Sequence, residues 1–80
     1  MAKKVEYKPV MVFYMDISLV HAVGLEKIKK DLESVKAKVG YEILIFGVAE
    51  NPRVEIISVD KATVVEDVQK YVDEKFLNTK

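Results

Sequence analysis

The chain contains no cysteine, which removes a disulfide framework, a thiolate nucleophile, a CxxC redox pair and any cysteine-based zinc or iron–sulfur site. Net charge is missing too. Thirteen basic and thirteen acidic side chains balance, so the broad positive footprint of a nucleic-acid-binding protein is absent and no nucleic-acid partner is expected. The longest apolar run, Val10 to Met15, is far too short to cross a bilayer, and no cleavable signal follows the basic Met1-Ala2-Lys3-Lys4 start. A soluble, cytoplasmic chain without a membrane partner is the expectation. The three glycines stand apart and make no phosphate-cradling loop. The single histidine, His21, with Asp16 supplies at most two nearby metal ligands where zinc needs three or four. No metal and no cofactor is expected.

What is present is apolar: half of the 80 residues. A chain of this size buries about 60–65% of its unfolded surface and supports one core. One domain is therefore expected over residues 1–80, with 1–4 and 77–80 frayed. Twelve of the thirteen basic residues are lysine and valine is the commonest residue, a composition that suits a heat-stable protein or a de novo designed one.

From Val5 to Leu19 every odd position is apolar, the period of a strand with one buried face. Pro9 has no N–H and marks a bend, an edge position or a break. After Gly24 the period changes: Leu25, Ile28, Leu32, Val35 and Val39 form one helical stripe, Glu26 and Lys30 are spaced to pair, and Gly40 sits at the C-cap. Tyr41–Val48 and Arg53–Asp60 read as strands joined by Ala49-Glu50-Asn51-Pro52 into a hairpin. Thr63 and Glu66 have the spacing of a capping box. The helix that follows should turn Val64, Val65, Val68, Tyr71, Val72 and Phe76 inward. Its acids Glu66, Asp67, Asp73 and Glu74 should lie on a solvated face near Lys70.

These elements predict an α+β two-layer sandwich in the order strand-helix-strand-strand-helix, with room for an extra strand at residues 3–7. The order resembles the ferredoxin-like sandwich without its last strand, a resemblance of architecture that carries no motif. Phe13-Tyr14 before a helix, and a hairpin followed by a C-terminal helix, resemble thioredoxin-like α/β proteins, the alternative fold. Ser18-Leu19-Val20-His21 stands where that family carries its redox CxxC, so no redox chemistry follows. RRM-type modules share the architecture as well, but Arg53–Asp60 has no aromatic residue to stack a base.

No catalytic residue stands out. Asp16, Ser18 and His21, an acid, a hydroxyl and a base at the end of the first strand, are candidate ligand contacts. No Gly-rich elbow accompanies them to build an oxyanion hole. Arg53, the only arginine, is a further candidate, because its guanidinium can fork a carboxylate or phosphate; it is equally suited to pairing with Glu50 or Glu55. The strongest signal is apolar surplus. Val10, Val12 and Tyr14 form a second apolar row on the first strand, and Ile43, Leu44, Ile45 and Phe46 are consecutive. Two helices either divide between the sheet faces or leave one partly open, and open apolar surface marks an interface. Val10, Val12 and Tyr14 with Leu44 and Phe46, or with Ile43 and Ile45, are therefore the interface candidates for a homodimer. A small-ligand-binding protein or enzyme, and a designed chain without evolved function, are the alternatives.

Overall fold

The computed structural model describes residues 4–77. Strand β1 (Tyr7–Asp16) leads into helices α1 (Ile17–Val23) and α2 (Leu25–Val39); strands β2 (Glu42–Val48) and β3 (Arg53–Asp60) follow, then α3 (Val65–Val72) and a π-helical turn at Asp73–Leu77. This is an α+β chain with the expected order of elements and one helix more: α1 lies on residues expected as the end of the first strand and its connection to the helix that is α2.

β1 stops earlier than its alternation predicts. The Asp16 carboxylate accepts the Ser18 N–H at 2.8 Å and caps α1, taking a donor that a strand ladder would have used. Ile17 and Val20 then fall one helical turn apart, on the side that packs inward. At the other end β1 begins at Tyr7, and residues 4–6 form no separate strand; Glu6 accepts a hydrogen bond from the Lys61 N–H at 2.8 Å. Residues 1–3 and 78–80, which the frayed ends and the extra strand include, lie outside the described residues.

The hairpin expected over residues 41–60 does not form, because β1 lies between its two strands. The sheet order is β2-β1-β3, with β2 parallel and β3 antiparallel to β1. β1 is apolar on both faces between Val10 and Met15, and a strand of that kind gains most from neighbours on both sides. The connection is long enough: crossing β1 spans two strand spacings of about 10 Å in total, and residues 49–52, with Asn51 at φ 57°, reach about 13 Å. Pro9 is tolerated in the central strand because pairing with β2 begins only at Val10. At Pro9 the one neighbour is Ser58 of β3.

Two apolar clusters hold the chain. Val10, Val12 and Leu44 on one sheet face pack against Val65, while Ile45 on the other packs with Val20, Ile28 and Val72. The helices thus divide between the faces. α1 and α2 lie on the Ile45 side, and α3 passes along the outer edge of β2 from one cluster to the other. Consequently the even positions of β1 are the more buried: Val10 and Val12 are 1% exposed, whereas Met11, Phe13 and Met15 are half-buried.

Gly40 ends α2 in the left-handed region (φ 74°), its N–H donating to the Lys36 carbonyl at 2.9 Å. Within this helix Lys27 and Asp31 form an ion pair at 3.2 Å. The capping box does not form. Thr63 donates its N–H to the Asp60 carbonyl, Asp60 Oδ1 accepts from the Ala62 N–H, and α3 starts at Val65 after Val64 with no side-chain cap. The inward stripe of α3 is Val65, Val68, Gln69 and Val72, spaced three and four apart. Val64, Tyr71 and Phe76, expected inside, are each more than half exposed.

Candidate functional site

At the end of β1 the acid, hydroxyl and base do not form a chemical group. Asp16 spends its carboxylate on the Ser18 backbone, and Ser18 and His21 are exposed on α1. Among the described residues no hydrogen bond runs between any two of these three side chains, and no group of three or more His, Cys, Asp or Glu could hold a metal ion.

Arg53 lies elsewhere and is better organised. It faces Tyr14 in the β1–β3 register, and Tyr14 faces Phe46 in the β1–β2 register. The guanidinium carbon sits 4.0 Å from the centre of the Tyr14 ring, and the Tyr14 and Phe46 rings stack at 5.7 Å and 23°. A cation and two rings therefore cross all three strands in one row, an arrangement in which the ring quadrupole favours the charge. Arg53 Nε donates to Glu55 at 2.8 Å and its Nη1 to the Asn51 carbonyl at 3.0 Å. The hydrogen bond to Glu55 raises the guanidinium above its ordinary pKa. With two of its donors engaged at the β3 start, Arg53 ties down the Ala49–Pro52 turn.

Of the five interface candidates, Val10, Val12 and Leu44 are buried beneath α3, and Tyr14 and Phe46 are half-buried in the stack. Their apolar surface is taken up within the chain. Within the sheet, the apolar surface that stays open belongs to the other face and to β3. Val54 is 54% and Ile56 58% exposed, and they lie beside the half-buried Phe13 and Met11 respectively. On the opposite face of β3, Ile57 is also exposed.

No family model, no curated protein and no solved structure matches this chain.

The two sheet edges differ sharply in how they are finished. On β2, Gln69 Oε1 accepts the Ile45 N–H at 2.6 Å, and Gln69 Nε2 donates to the Ile45 carbonyl at 3.0 Å. The same Nε2 donates to Asp73 Oδ1 at 2.8 Å, and Asp73 Oδ2 meets Lys29 of α2 at 2.5 Å. Asp73, expected on a solvated face, is thus drawn inward between α2 and α3. β3 has no comparable cover. Its substantial neighbour is β1, and every residue from Arg53 to Asp60 except Val59 is exposed.

Beside the Gln69 seal, α2, α3 and β2 enclose an open groove of about 340 Å³. Leu32, Ile43 and Val65 supply its apolar floor, with Lys36 and Lys70 among its polar rim. Among the described residues no helix is long and apolar enough to cross a membrane.

Gln69 and the open Val54–Ile56 surface are the features that reading the sequence missed. The first had a signal: a polar residue at an inward helical position, four after Val65 and three before Val72. The second was hidden by the hairpin, which would have supplied β3 with a different neighbour.

Proposed function

We propose that this chain is a small interaction module that self-associates through the apolar surface of β1 and β3 on the side where Met11, Phe13, Val54 and Ile56 lie. One observation carries the reading: two aliphatic side chains on an edge strand, Val54 and Ile56, are each more than half exposed and adjoin two half-buried apolar neighbours. Isolated exposed apolar residues are ordinary on protein surfaces, whereas a contiguous group on an uncovered edge marks a contact surface. A core divided between two small clusters also gains from area supplied by a second copy. Sedimentation equilibrium at tens of micromolar tests this. The wild type is expected at twice the 9.1 kDa chain mass, and Val54→Glu with Ile56→Lys at one chain mass. A wild type that stays at one chain mass overturns the reading.

A second reading, a small-ligand-binding protein, is favoured by the groove between α2 and α3, whose volume of about 340 Å³ falls at the small end of ligand sites. A thermal-shift screen of metabolites should then find a stabilising compound whose effect Leu32→Arg removes. No stabilisation by any compound would count against it.

A further inference from the structure

Resting on the self-association proposed above, we infer that the second copy adds to the sheet edge-on. β3 pairs antiparallel with β3 of the other chain about a two-fold axis at Ile56, and the two sheets become one of six strands.

The inference begins from the unlike edges. A strand edge presents unpaired N–H and C=O groups and recruits another strand unless something blocks it. On β2 the block is present, as the Gln69 carboxamide closed on Ile45 with α3 laid alongside. On β3 most of the usual protections are absent. The strand is eight residues long, its register with β1 runs without a bulge from Arg53 to Asp60, and it contains neither proline nor lysine. Of its charged residues, Arg53 and Glu55 are bonded to each other.

The occupant follows from symmetry and register. Two identical antiparallel strands related by a two-fold axis place one residue opposite its own copy, and residues equally displaced from it opposite one another. An axis at Glu55 sets two carboxylates face to face, which is destabilising. An axis at Val54 pairs residues 53–55 alone, and one at Ser58 leaves Val54 without a neighbour. An axis at Ile57 puts Val54 opposite Asp60 and brings Arg53 toward Lys61 of the other chain. An axis at Ile56 pairs residues 53–59 with no like charges opposed: Ile56 meets Ile56, Val54 meets Ser58, Glu55 meets Ile57 and Arg53 meets Val59.

Between the axes at Ile56 and Ile57 the apolar face decides for the first. Ile43, Met11 and Ile56 are successive partners across β2, β1 and β3. With the axis at Ile56 this row continues through Ile56, Met11 and Ile43 of the second copy, six apolar side chains in line across the joined sheet. With the axis at Ile57 the row runs from Ile56 into Ser58 and then Pro9, and is broken. The partner that fits this edge is therefore a second copy of the chain.

The absence of cysteine makes the test clean, because the thiols introduced have no native one to compete with. Opposed residues in an antiparallel pair have Cα atoms about 4.5–5.5 Å apart, inside the span a disulfide bridges. Under mild oxidation at concentrations where the wild type is dimeric, Ile56→Cys is expected to give a covalent dimer about tenfold faster than Val54→Cys or Ile57→Cys, neither of which faces its own copy. Should Ile56→Cys weaken assembly, the double variant Val54→Cys/Ser58→Cys is expected to cross-link at the rate Ile56→Cys was expected to show, because those residues oppose each other. A dimeric wild type in which Ile57→Cys, Val54→Cys or Met11→Cys cross-links fastest overturns the edge pairing while leaving self-association standing. A monomeric wild type by sedimentation removes the self-association on which the pairing rests.

Discussion

Gln69 meets Ile45 as a peptide group of a neighbouring strand would, accepting its N–H at 2.6 Å and donating to its carbonyl at 3.0 Å. One side-chain amide from a helix thereby completes the hydrogen bonding of the edge strand at the point where it is most buried. Gln69 is the buried polar residue among the described residues, and every buried side-chain polar atom there has a partner. The sheet is closed on this side by a helix, and its capacity to pair further is left at β3.

Gln69→Leu removes both bonds while keeping much of the volume, leaving the Ile45 N–H and carbonyl unpaired against apolar neighbours. A loss of about 2 kcal/mol in urea unfolding is expected. Gln69→Glu keeps the acceptor but loses the donor and sets a second carboxylate beside Asp73. Both effects disfavour the charged form in the folded state, so its pKa is raised there. Its deficit relative to wild type should therefore shrink as pH falls through the acid range. A deficit independent of pH would show that the introduced carboxyl is not held against the Ile45 carbonyl and Asp73.

Gly24 and Gly40 separate backbone conformation from packing. Beyond the adjoining backbone, a methyl group at either position would meet no atom within 4 Å, yet both have positive φ, 98° and 74°. Gly40 lies in the left-handed helical region that other residues enter at modest strain, so Gly40→Ala should cost about 1–2 kcal/mol. Gly24, at ψ 129°, lies outside it, and Gly24→Ala should cost about 3 kcal/mol. Paired thermal or urea melts would show the order, and equal costs would contradict it.

Asp16 acts as a cap, which distinguishes it from its neighbours. Asp16→Ala should lose about 1 kcal/mol of stability and Asp16→Asn much less. Ser18→Ala and His21→Ala should stay within about 0.5 kcal/mol of wild type, as exposed residues do. Comparable losses at all three would point to a connected group at the end of β1.

The Lys29–Asp73 pair links α2 to the turn after α3 and is less exposed than Lys27–Asp31. A double-mutant cycle to alanine should give a coupling of about 1 kcal/mol for Lys29–Asp73, and about 0.3 kcal/mol for Lys27–Asp31. Raising the salt concentration should erase the second and reduce the first only in part.

Local features of the fold were legible wherever one chain segment was enough to express them. The stripe Leu25–Ile28–Leu32, the left-handed cap at Gly40 and the extent of Arg53–Asp60 follow from periodicity and from the steric needs of single residues. Reading failed where a segment had two outlets for the same groups. Ile17 and Leu19 continue the alternation of β1, yet the Asp16 carboxylate captures the Ser18 N–H and starts a helix. Thr63 and Glu66 are spaced as a capping box, yet Asp60 organises the preceding turn and the box does not close. The candidate surface was legible as apolar surplus but not as a location. Val10, Val12 and Leu44 were as eligible as Val54 and Ile56 until α3 covered the first group.

The order of the strands, α2 and α3, the boundaries of α2 and the absence of cysteine chemistry belong to the sequence alone, because each rests on contacts within a few residues or on composition. The placement of β1 between β2 and β3, the closure of the β2 edge by Gln69 and the exposure of β3 belong to the folded chain. They depend on which of several apolar strands takes the centre, a competition over total burial that links residues far apart in sequence and leaves no mark in any one segment.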